Sequence, residues 1–212
     1  MQPVGLLLLA AGSSARLGRP KQLLPYRGRS LLRHAATVAA AAGCHPNVLV
    51  TGALHETLLP EVAGLGFEVT HNNRWASGMG SSIRAGLAAL EALAGPERSA
   101  PNPAALPALP APPLAAVLVM LCDQPLLTPD ILTALLAQFR ATGQPVVASA
   151  YGGTRGVPAV FGRAVFPALR ALSGPAGARD LLRAYAHLPA VPFPAGVVDV
   201  DTAAQYEALG AG

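Results

Sequence analysis

The chain has 212 residues, of which 52% are hydrophobic and only 12% are charged, with a formal net charge of +4. This length suffices for one large domain with a substantial core, and no apolar run approaches the roughly 18 residues needed to span a bilayer. The charges stand singly rather than in the basic runs of nucleic-acid-binding proteins, so we expect a cytoplasmic protein with no membrane or nucleic-acid partner and a small polyanionic ligand.

Strand-like and helix-like segments alternate along the chain, which predicts a Rossmann-like three-layer α/β/α fold with a mostly parallel sheet. The predicted strands are Val4–Ala10, Val48–Thr51, Phe67–His71, Ala115–Leu121, Val146–Ala150, Ala159–Phe161 and Val197–Val200. The predicted helices are Ser30–Ala42, Glu56–Ala63, Ser81–Leu93, Pro129–Arg140, Ala178–Ala186 and Ala203–Leu209. Ser30 and Thr128 are the expected N-caps. We expect residues 1–212 to form a single domain, with a Pro/Ala-rich exposed loop at about residues 95–113.

The first predicted strand leads directly into a small loop that carries two cations. Gly12, Ser13 and Gly18 allow backbone N–H groups to turn inward, where they can bind phosphate oxygens. Arg16 and Lys21 add two full positive charges. A strand followed at once by phosphate-binding chemistry is typical of the first unit of a nucleotide-binding α/β domain.

The spacing in this loop excludes two better-known phosphate-binding loops. A Walker loop requires G-x-x-x-x-G-K-[ST], but five residues separate Gly12 from Gly18, and Arg19-Pro20 intervene before Lys21. A dinucleotide fingerprint requires G-x-G-x-x-G, but Ser14 takes the place of its second glycine.

Carboxylates follow two of the later predicted strands. Asp123 comes directly after a very apolar strand, where open α/β sheets place ligand chemistry, and an Asp oxygen suits Mg²⁺. Asp199 and Asp201 lie at the end of the last predicted strand, and alternation would put both on one side of it. These two carboxylates could also serve as a helix cap before Ala203, and the sequence leaves open which of them contacts metal.

A turn of small residues opens the second long predicted helix. Gly80 belongs to this turn, and Ser81 and Ser82 are the first residues of the helix. The free N–H groups and hydroxyls of these residues could therefore contact a base or ribose. We expect Trp75, just before the turn, to serve in packing, and we expect Arg84 to be a charged residue at the surface. The two cysteines, Cys44 and Cys122, show no metal-ligand spacing, and we expect both to be buried.

Several of these segments resemble one family. Leu9–Lys21 is similar to the L-A-A-G-x-S-x-R-[ML]-G-x-x-K signature of the MocA/MobA-like NTP transferases, which include molybdenum cofactor cytidylyltransferases and their guanylyl counterparts. Pro20–Pro25 and Ala11 resemble the cytidylyl branch more closely. Asp123-Gln124-Pro125 resembles the family's [GA]-D-Q-P motif, and Asp199–Thr202 its D-[IV]-D-T motif, without the acidic residues that often follow.

Further segments extend this resemblance over nearly the whole chain. Asn72–Gly86 is similar to the N-x-x-W-x-x-G-M-G-S-S stretch of the cytidylyl branch, which is tied to nucleotide recognition. Arg155–Phe161 resembles the G-x-P-x-x-[FL] element that approaches the second substrate. Gly174–Arg179 resembles the G-D-x-G-A-R loop, although Pro175 replaces its acidic residue.

The resemblance implies a nucleotide-diphospho-sugar-transferase-like fold and an Mg²⁺-dependent transfer of CMP from CTP to the terminal phosphate of a molybdopterin-type cofactor, with pyrophosphate released. Molybdoenzyme maturation proteins are further expected partners. The implied catalytic residues are Arg16, Lys21 and Asp123. The implied nucleotide-binding residues are Ala10, Ala11, Gly12, Ser13, Gly80, Ser81 and Ser82. The implied acceptor-binding residues are Arg155, Gly156, Pro158 and Arg179, and the implied metal ligands are Asp123, Asp199 and Asp201.

Two alternatives remain from the sequence. A guanylyl or sugar-1-phosphate nucleotidyltransferase would keep the fold and change the substrate. A non-catalytic accessory protein of molybdoenzyme maturation would account for Pro175 and for the missing acidic residues after Thr202, but it would not require Arg16, Lys21 and Asp123 together.

Overall fold

The computed structural model describes residues 3–95, 112–185, 187 and 189–210. The Pro/Ala-rich loop predicted at about residues 95–113 therefore lies mostly outside the described residues, as does Ala186. The strands are β1 (Val4–Leu9), β2 (Pro25–Tyr26), β3 (Arg29–Ser30), β4 (Asn47–Thr51), β5 (Phe67–His71), β6 (Ala116–Leu121), β7 (Val146–Tyr151), β8 (Thr154–Gly162) and β9 (Ala190–Pro192). The α-helices are α1 (Leu31–Ala40), α2 (His55–Leu58), α3 (Met79–Leu93), α4 (Pro129–Thr142), α5 (Phe166–Arg170), α6 (Arg179–Ala184) and α7 (Ala203–Ala208).

Seven of the strands form one sheet in the order β5-β4-β1-β6-β8-β7-β9, and β2 and β3 form a small separate ribbon. Strands β5, β4, β1 and β6 pair in parallel. Only β8 runs against its neighbours β6 and β7, and β9 returns to the parallel direction beside β7. The prediction of a mostly parallel sheet is confirmed.

The sheet is covered on both faces because its central strands are apolar on both sides. Along β1, Leu6 and Leu8 pack into one cluster with α1 and α4, whereas Leu7 and Leu9 pack into a second cluster with α3, α5 and α6. All six residues of β1 are buried. This gives the three-layer α/β/α arrangement that the alternation of elements predicts.

The β7–β8 hairpin differs from the prediction of two short separate strands. Strand β8 is nine residues long and pairs antiparallel with β7 across a turn at Gly152 and Gly153, whose φ angles are 54° and 71°. Two consecutive left-handed residues match the twist of a tight hairpin. The Gly-Gly pair was therefore a sequence signal for this turn.

The predicted strand Val197–Val200 is wrong. Residues Pro194–Val197 form a 3-10 helix, and Val200 makes one backbone hydrogen bond, from its N–H to the Asp123 carbonyl at 3.0 Å. A longer ladder does not form because β6 is already paired on both edges, by β1 and β8. Because this strand does not form, the prediction that alternation places Asp199 and Asp201 on one side of it is also wrong.

The two expected N-caps differ in outcome. Ser30 caps α1 as predicted, since its hydroxyl accepts the Arg33 N–H at 2.9 Å. Thr128 stands at the N-cap position of α4, but its side chain makes no capping hydrogen bond. The rigid φ of Pro129 at the first helical position is the remaining local signal for that helix start.

The sheet topology brings the functional segments to one edge. Strands β1, β4 and β6 are parallel neighbours, so the residues after Leu9, Thr51 and Leu121 emerge together at their carboxyl ends. This edge of an open α/β sheet is where ligands bind. Within the described ranges, no helix is both long and apolar enough to cross a membrane.

Candidate active site

The loop after β1 is held from beneath by the side chain of Gln22. This residue is 1% exposed, and its amide nitrogen donates to the carbonyls of Ala10 at 3.1 Å and Gly12 at 2.7 Å. Its amide oxygen accepts the Ser14 hydroxyl at 3.1 Å, and the Ser14 oxygen accepts the Lys21 N–H at 3.0 Å. One buried side chain therefore fixes both ends of the loop.

This clamp determines the direction of the loop's N–H groups. In a trans peptide the N–H points opposite to the carbonyl of the preceding residue. Because the Ala10 and Gly12 carbonyls face Gln22, the N–H groups of Ala11 and Ser13 point away from it. Gly12 and Ser13 are exposed, so the Ser13 N–H is directed toward the open side of the loop, as an anion site requires.

Lys21 lies between two carboxylates that come from distant parts of the chain. Its Nζ donates to Asp123 Oδ2 at 2.6 Å and to Asp201 Oδ1 at 2.7 Å. Arg16 adds a second cation, whose Nη2 is 2.6 Å from Asp201 Oδ2. Burial alone would lower the pKa of Lys21, but the charge of Asp123 and the hydrogen bonds to Asp123 and Asp201 together raise that pKa above its ordinary value. The structure thus joins Arg16, Lys21, Asp123 and Asp201 in one cluster.

One carboxylate oxygen of this cluster is left over. Asp123 Oδ1 is buried and accepts no hydrogen bond from any residue that the structure describes. A buried oxygen without a donor is costly unless a cation or water satisfies it. Among the described residues, no three His, Cys, Asp or Glu side chains are grouped closely enough to hold a metal without other ligands.

Asp199 is close to the cluster but has a different partner. It accepts the Gln205 amide nitrogen at 2.7 Å, and the Gln205 oxygen accepts the N–H groups of Asp201 and Thr202 at 3.0 and 2.9 Å. Burial raises the pKa of Asp199, and the charges of Asp201 and Asp123 raise it further. The cap of α7 is made by Thr202 with Gln205 rather than by either aspartate.

The serines at the start of α3 are engaged within their own turn. The Asn72 amide nitrogen donates to the hydroxyls of Ser81 at 2.8 Å and Ser82 at 3.0 Å, and all three residues are buried. The Ser81 hydroxyl also lies 2.8 Å from the Gly78 carbonyl. These hydroxyls therefore shape the turn, and direct contact of Gly80, Ser81 and Ser82 with a nucleotide stays a prediction.

A pocket of about 520 Å³ opens beside the loop, at the ends of β4 and β5. The backbone at Gly52 approaches the loop closely because this residue has no side chain. A Cβ there would lie 2.5 Å from the Ala11 carbonyl oxygen and 2.6 Å from Trp75 Cβ. The rings of His55 and His71 line the pocket and stack with centroids 4.4 Å apart. Trp75, expected to serve in packing, contributes to this wall.

The predicted acceptor residues of β8 lie beside a different pocket. Arg155 donates to the Tyr185 carbonyl at 3.2 Å and lines a cavity of about 560 Å³ between the β7–β8 hairpin and α6. Gly156 packs against the Tyr151 hydroxyl, and Pro158 is buried. Gln124 links this strand to the cluster, since its amide nitrogen donates to the Val157 carbonyl at 3.1 Å.

The loop that resembles G-D-x-G-A-R covers the start of α3. The Gly80 N–H donates to the Gly174 carbonyl at 3.3 Å, and a side chain at Gly78, whose φ is 105°, would collide with that carbonyl. Arg179 is exposed at the first residue of α6. Arg84, expected on the surface, instead donates to the Leu172 carbonyl and ties α3 to the end of α5.

Sequence reasoning missed Gln22, Gly52 and the His55–His71 pair. A glutamine next to the loop lysine carries no chemical signature of its own, because its role is to bond backbone carbonyls ten and twelve positions earlier. Gly52 offered a weak signal, as a glycine directly after an apolar strand. The histidines are sixteen positions apart on separate elements, so only the pairing of β4 with β5 brings them together.

Known proteins match this chain over most of its length. The family model described as MobA-like NTP transferase domain matches residues 6–189. Nicotine blue oxidoreductase from Paenarthrobacter nicotinovorans is 37% identical over 186 residues, which is 84% of this chain and 80% of that protein. The crystal structure of Rv0371c from Mycobacterium tuberculosis H37Rv is 27% identical, with a TM-score of 0.74 and coverage of 98% of this chain and 97% of that one.

A second structure of Rv0371c was determined as a complex with manganese, and it has a TM-score of 0.67 at 27% identity over the same shares of the two chains. The matched family region contains the loop, Lys21 and Asp123, whereas Asp199 and Asp201 lie beyond it. The chain belongs to the MobA-like NTP transferase domain family and is a nucleotidyltransferase.

Proposed function

We propose that this nucleotidyltransferase moves CMP from CTP to the terminal phosphate of a molybdopterin-type cofactor and releases pyrophosphate, with Mg²⁺ as its metal. One observation carries the proposal: Lys21, bonded to Asp123 and Asp201, lies directly after a clamped loop at the ligand-binding edge of the sheet. Positive charge, outward N–H groups and a hard oxygen donor are what a nucleoside triphosphate needs there.

The reaction needs positioning and charge more than proton transfer. An ionised oxygen of the acceptor phosphate attacks the α-phosphorus of the nucleotide and forms a new P–O bond. The bond from that phosphorus to the bridging oxygen breaks, and pyrophosphate leaves with the electron pair. The nucleophile is already ionised, so no general base is required. Arg16 and Lys21 stabilise the charge that develops on the phosphates.

The residues of the cluster fit a divalent cation. Asp123 Oδ1 is a buried carboxylate oxygen without a donor among the described residues, and Mg²⁺ typically takes one or two carboxylates together with substrate phosphates and water. Asp123 and Asp201 would hold it, with Asp199 farther out on its Gln205 bond. A bound divalent cation neutralises phosphate charge and orients the reacting groups. The manganese complex of Rv0371c supports this assignment by similarity.

The assignment of substrates depends more on resemblance. Ala11 and the Gly80–Ser82 turn are similar to the cytidylyl branch, and the pocket beside Ala11 has room for a base. Gly12 and Ser13 would contact the nucleotide through their backbone N–H groups. Ala10 would act only by supporting the loop, since its N–H donates to the Val50 carbonyl and its carbonyl accepts the Gln22 amide. Arg155, Gly156, Pro158 and Arg179 are the proposed acceptor side. A guanylyl or sugar-1-phosphate transfer would use the same cluster with a different pocket occupant.

Pyrophosphate release tests the proposal directly. The assay contains Mg²⁺ and a molybdopterin-type acceptor, with CTP, GTP, ATP or UTP as donor. Turnover that prefers CTP and is lost in Asp123→Asn supports the cytidylyl assignment. Preference for GTP moves the chain to guanylyl transfer. Nucleotide binding without release from any donor would favour another acceptor or an accessory role in molybdoenzyme maturation.

A second candidate comes from the relative that is 37% identical and is named for an oxidoreductase activity. An enzyme that oxidises or reduces a small molecule would use the same sheet edge differently. Spectrophotometry of nicotine blue, with NADH or NADPH supplied as the reductant, distinguishes the two functions. Reduction of that compound, found without pyrophosphate release from any nucleotide, would replace the proposed transfer of CMP.

A further inference from the structure

Lys21 is the only lysine in a chain that carries fourteen arginines. It is also the residue that bonds both carboxylates of the proposed metal site. We propose that Lys21 and the divalent cation compete for Asp123 and Asp201, so that the cation binds tightly only when nucleotide phosphates draw Lys21 away. This inference rests on the proposed function for the identity of the two ligands.

The first step of the argument is geometric. The ammonium takes one oxygen from each carboxylate, Asp123 Oδ2 and Asp201 Oδ1, at 2.6 and 2.7 Å. The three side chains are 17%, 13% and 24% exposed, respectively for Lys21, Asp123 and Asp201, so water screens their attraction only in part. These are hard oxygen donors of the kind that a divalent cation takes. The Lys21 ammonium and a divalent cation therefore each weaken the interaction of the other with Asp123 and Asp201.

The second step concerns net charge. Two carboxylates face two cations, because Arg16 Nη2 bonds the remaining Asp201 oxygen at 2.6 Å. The four charges cancel, and the neighbouring Asp199 keeps its negative charge while it accepts a hydrogen bond from the neutral Gln205 amide. A divalent cation that approaches this cluster therefore meets the attraction of one carboxylate rather than of three. Arg16 is 74% exposed, so its share in this balance is smaller than that of Lys21.

The third step identifies what releases the lysine. A nucleoside triphosphate bound at the loop would bring several negative charges close to Lys21, whose flexible four-carbon stem can turn toward them. Phosphates then replace the carboxylates as partners of the ammonium and free Asp123 and Asp201 for the cation. By linkage, the cation must strengthen nucleotide binding by the same factor. Metal and nucleotide would thus enter as a coupled pair.

Mn²⁺ binding to the nucleotide-free protein tests the competition. Electron paramagnetic resonance of free Mn²⁺ gives its affinity for the wild type and for Lys21→Met, which keeps the length of the side chain and removes its charge. We expect Lys21→Met to bind Mn²⁺ about ten-fold more tightly. Arg16→Met should give a smaller gain, and Arg183→Met, whose arginine pairs with Asp180 on α6, should give none.

The outcomes separate this inference from the proposed function. Equal Mn²⁺ affinity in the wild type and Lys21→Met, abolished in both by Asp123→Asn, would overturn the competition and leave the metal site standing. No Mn²⁺ binding in any variant would overturn both. If Lys21→Met fails to fold, Arg16→Met decides, because its exposed side chain contributes little to the core.

A second readout follows the lysine itself. Protein labelled with ¹⁵N-lysine gives a single Nζ resonance, because Lys21 is the only lysine. We expect CTP to shift that resonance even when a metal chelator is present. We also expect Mg²⁺ at high concentration, without nucleotide, to shift the resonance until the shift reaches a plateau. An Nζ resonance that stays in place with both ligands, while CTP binding is detected calorimetrically, would overturn the proposal.

Discussion

Lys21 Nζ lies 2.7 Å from Asp201 Oδ1, although 180 positions separate the two residues in the sequence. This ion pair joins the first loop of the domain to its last segment, and Asp123 completes the contact from the middle of the chain. The charge cluster that we propose as catalytic is therefore held by residues from three separate regions of the chain. The position of each depends on the correct docking of the other two.

Replacement of Lys21 by arginine should lower turnover at least about 100-fold, even though the positive charge remains. The single Nζ atom of Lys21 contacts both carboxylates, whereas a planar guanidinium spreads its charge over three nitrogens and cannot take that compact position. Loss of one preorganised charge contact typically lowers kcat by two to three orders of magnitude. Steady-state pyrophosphate release measures the effect, with Arg170→Lys, whose arginine pairs with Glu91, as the matched surface control. Near-normal turnover of Lys21→Arg would contradict the proposed role.

Gln22→Glu should loosen the loop after β1. The new carboxylate would face the Ala10 and Gly12 carbonyls, which now accept hydrogen bonds from the Gln22 amide. Both carbonyls would lose this donor, and that of Ala10 is buried. We expect a loss of about 1–3 kcal/mol in the free energy of unfolding, together with weaker nucleotide binding.

Urea unfolding and calorimetry measure these two effects of Gln22→Glu. Gln138→Glu, on the outer part of α4, is the matched control, since it makes the same chemical change away from the loop. Unchanged stability and nucleotide affinity in Gln22→Glu would show that the loop does not depend on this clamp.

Two glycines near the loop should respond in opposite ways to alanine. At Gly12 an added Cβ meets no atom within 4 Å, whereas at Gly52 it would lie 2.5 Å from the Ala11 carbonyl oxygen. Gly12→Ala should therefore keep its thermal stability, and Gly52→Ala should lose about 1–3 kcal/mol by overpacking. A melting curve for each variant checks this. Nucleotide affinity that falls in Gly12→Ala without loss of stability would support phosphate binding at the loop.

Neither cysteine should react in the folded protein. Burial raises the pKa of the Cys122 thiol to about 12 and that of Cys44 to about 11, so the reactive thiolate is scarce at neutral pH. A chromogenic disulfide reagent at pH 8 should label neither residue in the native state and both in urea. Rapid labelling of Cys122 without denaturant would show that the end of β6 opens readily.

The contribution of Asp201 to stability should depend on pH. Burial alone would raise its pKa, but the hydrogen bond and charge of Lys21, with those of Arg16, hold that pKa below its ordinary value. A lowered folded-state pKa gives stability that is present above the unfolded-state value of about 3.9 and is lost as the pH falls through the folded-state value. The wild type should thus exceed Asp201→Asn in stability at pH 7, with a smaller difference near pH 3.

The control for this pH dependence is Asp199→Asn. The pKa of Asp199 is raised by burial and by its neighbouring carboxylates, so its ionised form gives no such gain at pH 7. Urea unfolding at both pH values measures the two variants. An Asp201→Asn difference that is equal at pH 3 and pH 7 would contradict the ion-pair account.

Local patterns in the sequence were sufficient for the architecture. The continuous apolar run of β1 predicted a strand buried on both faces, and Ser30 predicted the start of α1, because both features depend on residues close in sequence. The same is true of Asp123, which follows an apolar strand directly. The β7–β8 hairpin was missed although Gly152 and Gly153 signal it, because the predicted strands Val146–Ala150 and Ala159–Phe161 were too short to reach this turn.

The sequence by itself determined most of the long strands and helices, the covered and mostly parallel sheet, and the residue types available at its carboxyl edge, since hydrophobic periodicity and turn chemistry act over a few residues. Only the tertiary structure decided that Asp201, rather than Asp199, shares Lys21 with Asp123, that Gln22 orients the loop, and that Ser81 and Ser82 bond Asn72. Each of these depends on where separate elements dock, and electrostatic and hydrogen-bond partners are chosen by distance in space rather than by position along the chain.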